Sequence, residues 1–436
     1  MKQRLQKLLE KILGSIARRI VRRYQPDVIG VTGTVGKTAT KEAISCVLAQ
    51  RFYIRQSVGN YNNELGLPLA IIDGQVHGAN IFGWLKEIIK GCWLAVWPHD
   101  YPKILVLEMG AEKTGDIDYL LSIAPIRIGV ITAITPVHLE FFKTMEAVIE
   151  EKKKLITNLP EDGFGVINGD DKTISKLKTP IDVQLTTYGF DKINEIKAQK
   201  LKLQSSAIAQ PDSIRQEKLQ GTSFQVNYEG NKQDFILPGV IGKQQVYAAL
   251  AATAIGIAYG LSLPDTAARL ENYVSPPGRM RLIPAINNAF IIDDSYNSSP
   301  EAALAALDTL GNFPKTKRRI AALGYMAELG DYAGEGHKLV GKKVGQKADM
   351  LLAVGELAGI YSQEARKAGL AADKIKIFTN STEAGKYLQH QINKDDIILI
   401  KGSQISRMEK MVKRIMAEPL RAPELLVRQS SDWLKK

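Results

Sequence analysis

The sequence predicts an α/β protein of two bodies: a central domain with a phosphate loop, a parallel sheet and a small antiparallel part, then a Rossmann-like domain. Three observations predict it. Short apolar, β-branched runs alternate with stretches of helical spacing, the rhythm of a parallel sheet covered on both faces. A Gly-rich turn joins the first such run to the first such helix. The rhythm breaks at Pro276-Pro277-Gly278 and then restarts. At 436 residues the chain can bury two or three cores. The expected divisions are residues 1–26, 27–277 and 278–436.

The first 24 residues carry eight Lys or Arg against Glu10 alone, while Leu5, Leu9, Ile12, Ile16 and Ile20 recur at helical spacing. This is a basic amphipathic helix. It has no continuous apolar core, so it is neither a signal peptide nor a membrane span. Its stripe lies either on an anionic membrane or on the protein body. The run Val28-Ile29-Gly30-Val31 reads as a buried strand, and Lys37 to Leu48 as a helix with Ala43, Ile44, Val47 and Leu48 on one face. Residues 81–97 hold three of the four tryptophans among aliphatic residues and lysines, a composition shared by interfacial and core helices. Ile104–Leu107, Ile126–Ile134 and Gly165–Asn168 read as further strands. Short alternating runs from Asp182 to Pro238 suggest an antiparallel appendage. After the break, Phe290–Asp294, Arg319–Gly324, Met350–Gly355 and Ile397–Gly402 read as strands of a second sheet.

The formal charge is +12, much of it in the first helix. No recognition helix, zinc finger or other nucleic-acid pattern accompanies it, so nucleic-acid binding is not expected. Cys46 and Cys92 form no metal spacing and imply no disulfide framework. A cytoplasmic monomer is expected, with possible peripheral contact at the inner membrane face through residues 1–24 and 81–97.

The turn is Thr32-Gly33-Thr34-Val35-Gly36-Lys37-Thr38. Placed between strand and helix, its backbone N–H groups and the positive helix end cradle a polyphosphate. Lys37 neutralises the outer phosphates and the Thr38 hydroxyl reaches a magnesium ion. Val31 stands where the general phosphate-loop pattern has its first glycine. Downstream lies Gly59-Asn60-Tyr61-Asn62-Asn63-Glu64-Leu65-Gly66-Leu67-Pro68. Together these two stretches resemble the Mur ligases, ATP-dependent amide-forming enzymes of cell-wall precursor synthesis. The second is similar to the branch that adds D-Ala-D-Ala. The resemblance runs from about Asp27 to about Val412.

The resemblance implies a role for each matching residue. Gly33, Thr34, Val35, Gly36, Lys37 and Thr38 hold ATP. Glu108, after an apolar strand, joins Thr38 on the first of two Mg²⁺ ions, and His138 helps to hold the second. Lys152 becomes N6-carboxylysine, an anionic ligand of that second ion, although Lys153 is a rival by register. Arg279 reaches the phosphoryl group from beyond the linker, and Asp294 and Asn297 face the nucleotide. Leu323-Gly324-Tyr325-Met326-Ala327-Glu328-Leu329-Gly330 with His337, and Lys401-Gly402-Ser403, match the D-Ala-D-Ala-adding branch. Asn60, Asn63, Lys401 and Ser403 are the expected substrate contacts. The implied reaction moves the γ-phosphoryl group of ATP to a muropeptide carboxylate, and the amine of D-Ala-D-Ala displaces it. Lys37, Lys152, His138 and Arg279 are the catalytic set.

There are departures. Gln244 and Ala248 stand where the family has His and an adenine-contacting Asn, and Gln404 follows Lys-Gly-Ser where Arg is usual. About two dozen helix-forming residues precede the first strand, where the family has a domain for the uridine-diphosphate sugar. The alternatives are a sister ligase with another amine or a lipid-linked acceptor, and a membrane-associated ATPase without ligase activity.

Overall fold

The computed structural model describes residues 2–59, 61–135, 142, 144–174, 183–208 and 216–435. In the first half of the chain these form α1 (Lys2–Tyr24), β1 (Asp27–Thr32), α2 (Lys37–Ala49), β2 (Ile54–Gln56), α3 (Gly66–Ile72), α4 (Ile81–Val96) and β3 (Ile104–Glu108). There follow α5 (Asp116–Ile123), β4 (Ile128–Ile131), α6 (Met145–Thr157), β5 (Phe164–Asn168), β6 (Gln184–Gly189), β7 (Ile196–Ile208), β8 (Gln216–Tyr228) and β9 (Asn231–Pro238). Helices α7 (Lys243–Ala258) and α8 (Leu263–Leu270) precede the linker.

These strands make one nine-stranded sheet in the order β2-β3-β1-β4-β5-β6-β7-β8-β9. The alternation of side chains divides its core. Ile29 and Val31 face α2 and α7, while Val28, Leu105 and Leu107 face α1, α3 and α5. The expected appendage is therefore corrected. β6 pairs in parallel with β5 from Phe164↔Gln184 to Asn168↔Tyr188, and only β7, β8 and β9 run antiparallel. The half-polar sequence Gln-Leu-Thr-Thr-Tyr-Gly alternates as an antiparallel strand would, which is why its pattern misleads. The strand expected over Ile126–Ile134 is shorter, ending at Ile131.

Beyond the linker come β10 (Arg281–Pro284), β11 (Phe290–Asp294), α9 (Pro300–Gly311), β12 (Arg319–Leu323), α10 (Ala333–Lys347), β13 (Met350–Val354), α11 (Ala358–Lys367), β14 (Ile375–Phe378), α12 (Ser381–Gln389), β15 (Ile397–Lys401) and α13 (Glu409–Ile415). The second sheet runs β10-β11-β15-β12-β13-β14, parallel except for β10. Each face of it carries its own apolar core.

The two readings of the first helix separate along its length. From Leu13 to Val21 its apolar stripe is buried against the body, while Leu5 and Leu8 are exposed. Arg18 ties it down, donating to the Ser122 carbonyl at 2.8 Å and the Ser122 hydroxyl at 3.1 Å. Among the described residues, no helix is long and apolar enough to cross a membrane.

Candidate active site

The phosphate loop leaves the carboxyl end of β1, between β3 and β4. Gly33 and Gly36 take φ of 143° and 90°. A Cβ on Gly33 would stand 2.1 Å from Thr132 Oγ1, so a side chain there cannot be accommodated. The end of β4 clamps the loop: Thr132 Oγ1 donates to the Val35 carbonyl at 2.7 Å, and the Thr34 amide donates to the Ala133 carbonyl at 2.8 Å. Lys37 Nζ donates to the Gly33 carbonyl at 2.9 Å. Burial pulls the pKa of this lysine below its ordinary value, against the opposing pull of Glu108.

Thr38 Oγ1 donates to Glu108 Oε2 at 2.9 Å, and Asn62 Nδ2 donates to Oε1 at the same distance. The Glu108 amide donates to Ser57 Oγ at 3.0 Å. A hydroxyl beside a buried carboxylate is an all-oxygen pair of the sort Mg²⁺ takes, keeping waters for its other positions. Among the described residues there is no group of three or more His, Cys, Asp or Glu placed to hold a metal.

Lys152 projects from α6 into the cavity that also holds Gly33, Lys37, Asn62, Asn63 and Asp116. Its neighbour Glu151 sets the register: buried, it accepts from the Gly115 and Ile117 amides at 3.0 and 2.7 Å and from Lys154 Nζ at 2.7 Å. Lys152 is 2% exposed. Burial, then the Lys37 charge, lower its pKa to about 7. Lys153 instead pairs with Glu150 at 3.4 Å on the outer face. Asn63 Oδ1 accepts from the Gly66 amide at 2.9 Å, starting α3. His138 and Asn60 lie outside the described residues.

The far wall belongs to the second sheet. The Arg279 guanidinium lies 4.0 Å over the Tyr296 ring and 3.5 Å from Thr38 Oγ1. Asp294 is paired with Lys401, whose Nζ lies 2.6 Å from Oδ2 and 2.9 Å from the Asn297 carbonyl. Ser403 Oγ donates to the Tyr325 carbonyl at 2.6 Å. Thr34, Gly36, Arg279, Asp294, Asn297 and Lys401 line one cleft between the sheets, and Gln244 joins them. Ala248 is buried in α7. His337 is buried with Nε2 accepting from the Met326 amide at 3.2 Å and Nδ1 2.7 Å from the Ala333 carbonyl, so it pins the Leu323–Gly330 loop.

Sequence reasoning passed over three positioning residues. Asn62 and Glu151 sat inside stretches already singled out, and carboxylate or amide chemistry next to a named residue was the available signal. Gln245 gave none. Its Nε2 donates to Ser275 Oγ at 3.1 Å and to the Arg279 carbonyl at 2.7 Å, while Tyr273 OH donates to its Oε1 at 2.8 Å.

Two family models match this chain: the Mur ligase middle domain over residues 93–256 and the Mur ligase glutamate ligase domain over residues 278–404. The chain belongs to the Mur ligase family. The ligase is 29% identical to the UDP-N-acetylmuramoyl-tripeptide–D-alanyl-D-alanine ligase of Bacillus subtilis, over 94% of this chain and 80% of that one. To the corresponding enzyme of Escherichia coli it is 26% identical, over 92% and 79%. Its fold superposes on MurF ligase from Thermotoga maritima in complex with ADP with a TM-score of 0.74 at 24% identity, covering 93% of this chain and 83% of that one. It is an ATP-dependent acid–amino-acid ligase of the type used in peptidoglycan synthesis.

The residues present fit a nucleotide. Among the described residues Arg279 Nε and Gln244 Oε1 are buried without a hydrogen-bond partner, and both residues line the cleft beside the phosphate loop. Unpaired buried polar atoms are costly unless a ligand meets them.

Proposed function

We propose that the ligase joins D-Ala-D-Ala to the terminal carboxylate of a muramoyl-tripeptide precursor, in the cytoplasm or at the inner membrane face. The observation that carries the reading is that Lys37 and Lys152 line one cavity with Asn62, that Asn62 joins it to the Thr38–Glu108 pair, and that Arg279 reaches Thr38 from beyond the linker. Transfer of a phosphoryl group to a carboxylate brings two anions together, and cations in a water-poor site lower that barrier. ATP is the phosphoryl donor. Gly33 to Thr38 hold its phosphates, and Arg279, Asp294 and Asn297 approach it from the second sheet. The acceptor carboxylate enters beside Lys37 and attacks the γ-phosphorus, and ADP leaves. The dipeptide amine then attacks the carbonyl carbon of the acyl phosphate, and phosphate leaves as the amide forms.

Thr38 and Glu108 would hold one Mg²⁺, and a modified Lys152 with His138 a second. The metal supplies charge neutralisation at the phosphoryl oxygens. With its pKa near 7, a large share of Lys152 is the neutral amine at neutral pH. That is the form that adds to CO₂, giving a carbamate and releasing one proton. Asn63, which lines the same cavity as Lys37 and Lys152, would contact the acceptor, and Asn60 is assigned with it by the family resemblance alone. Lys401 and Ser403 act on the substrate through Asp294 and the Tyr325 loop. Relatives that carry the D-Ala-D-Ala name over nine-tenths of this chain support the choice of amine.

The test is phosphate release from ATP with UDP-MurNAc-tripeptide, with and without D-Ala-D-Ala, and mass spectrometry of the products. Phosphate release that needs both substrates, with a product heavier by the dipeptide, is expected. Release with another amine alone, or with a lipid-linked acceptor alone, would replace this substrate assignment by a sister one.

A further inference from the structure

The active site leaves one apolar surface unused. Helix α4 buries Gly83, Glu87 and Gly91 against the body. Gly91 is required there, because a Cβ would meet Ile16 of α1 at 2.7 Å. Among the described residues the opposite side of α4 is largely uncovered: Ile81 and Phe82 are 71% and 85% exposed, and Leu85, Ile89 and Trp93 are at least half exposed. At about 100° of turn per residue, these five fall within an arc of roughly 120°. Trp93 stacks on Trp97 at 4.4 Å, and Trp97 is half exposed as well.

A cationic edge borders this arc. Lys86 is exposed on α4 itself, and Lys90 reaches Asp73. The last turn of α1 is fixed against the tryptophan end, with Tyr24 OH 3.0 Å from both the Leu94 and Trp97 carbonyls and Arg23 Nη1 3.4 Å from the Ala95 carbonyl. That contact holds the exposed Arg23 at the tryptophan end of α4, with the exposed Arg22 next to it in the last turn of α1.

We propose that α4, with the basic end of α1, is a peripheral docking surface for an anionic lipid bilayer. The helix lies in the plane of the interface. Its aliphatic and aromatic arc enters the acyl boundary, its tryptophans sit at headgroup depth, and Lys86 and the α1 arginines reach the phosphates. The charge selects this occupant over a second copy of the chain. The exposed cations at this surface, Lys86 on α4 and Arg22 and Arg23 in the last turn of α1, are of one sign, and two such rims brought face to face would repel. The proposal is independent of the substrate assignment, since docking needs no turnover.

Vesicle flotation of the whole chain tests it, using equal parts phosphatidylglycerol and phosphatidylcholine against phosphatidylcholine alone. The chain is expected to float with the anionic vesicles, and about tenfold less with neutral ones or at raised salt. Phe82→Ser/Ile89→Ser should lower flotation at least about tenfold, and Arg22→Gln/Arg23→Gln several-fold, both with unchanged melting temperature. A wild-type chain that stays out of the anionic vesicle fraction overturns the proposal. So does a wild-type dimer that Phe82→Ser/Ile89→Ser converts to monomer while vesicle binding is unaffected, which would assign the arc to a second copy.

Discussion

Two buried lysines, Lys401 in the cleft between the sheets and Lys152 in the cavity beside the phosphate loop, are treated differently by their surroundings. Lys401 is neutralised, its Nζ 2.6 Å from Asp294 Oδ2. Lys152 is equally buried, 2% exposed in each case, but among the described residues makes no ion pair and has Lys37 as a like-charged neighbour. The fold spends one lysine to hold a carboxylate in place. It keeps the other desolvated, with a pKa near 7, where it can act as a nucleophile toward CO₂ or meet an incoming anion. Burial alone therefore does not set a lysine's state: Lys401 has a carboxylate in direct contact, whereas Glu151 and Asp116 pull the Lys152 pKa back up without pairing with it and are outweighed by its desolvation.

The sharpest way to break this contrast is to remove each lysine. Lys152→Ala should lower kcat on the order of 10²–10³-fold, with partial recovery from added small carboxylates, while Lys153→Ala stays within about twofold. No recovery in steady-state assays would leave the carbamate without support. Lys401→Met should act on folding instead, costing about 3–5 kcal/mol in denaturant titrations because Asp294 is left buried and unpaired. Asp294→Leu/Lys401→Met should regain much of that stability without regaining activity.

Two smaller effects sharpen the comparison. The Lys152 pKa lies below its unfolded value, so between about pH 7 and pH 10 the unfolded chain binds more protons and this residue's contribution to stability rises with pH. Lys152→Met should flatten that rise, and melting curves across the window would show it. The wild-type rate should climb with pH through about 7 as the amine loses its proton. A rate flat from pH 6 to 8 under constant CO₂ would be at odds with that assignment. Last, His337→Phe should cost about 1–3 kcal/mol by stranding the Met326 amide, with kcat falling no more than the loop's loosening explains.

Much of this was legible in the sequence where one residue type has one physical use. The continuous apolar runs Val28–Val31 and Ile104–Leu107 read as interior strands and lie within β1 and β3, and the glycines between strand and helix read as a tight turn. The family resemblance selects Lys152 by matching Leu155, Ile156 and Leu159, and leaves Lys153 as a rival by register. The burial of Lys152 and the partial exposure of Lys153 follow from Glu151 fastening the helix to the start of α5, a contact between segments 34 residues apart. Such contacts leave no local pattern. The same holds for β10 and β14, edge strands too short and too one-sided to show a period, and for β6, whose partner decides its direction. The α4 arc was visible as composition, but only the packing of α1 and α3 beneath it decides which side stays open.

The linker knot around Gln245 has a mechanical consequence. Gln245 holds the carbonyl of Arg279, and Asp294 Oδ1 accepts from the amide of Met280 at 3.2 Å. One peptide unit is thus gripped from both bodies at once, with Gly278 and Met280 at φ of 69° and 54° on either side. A swing of one body against the other must turn about the bonds flanking that unit, and a point on an axle travels least. Arg279 is therefore expected to keep its station by the phosphate loop through an opening stroke, while Asp294 and Asn297 sweep the wider arc and meet the nucleotide last.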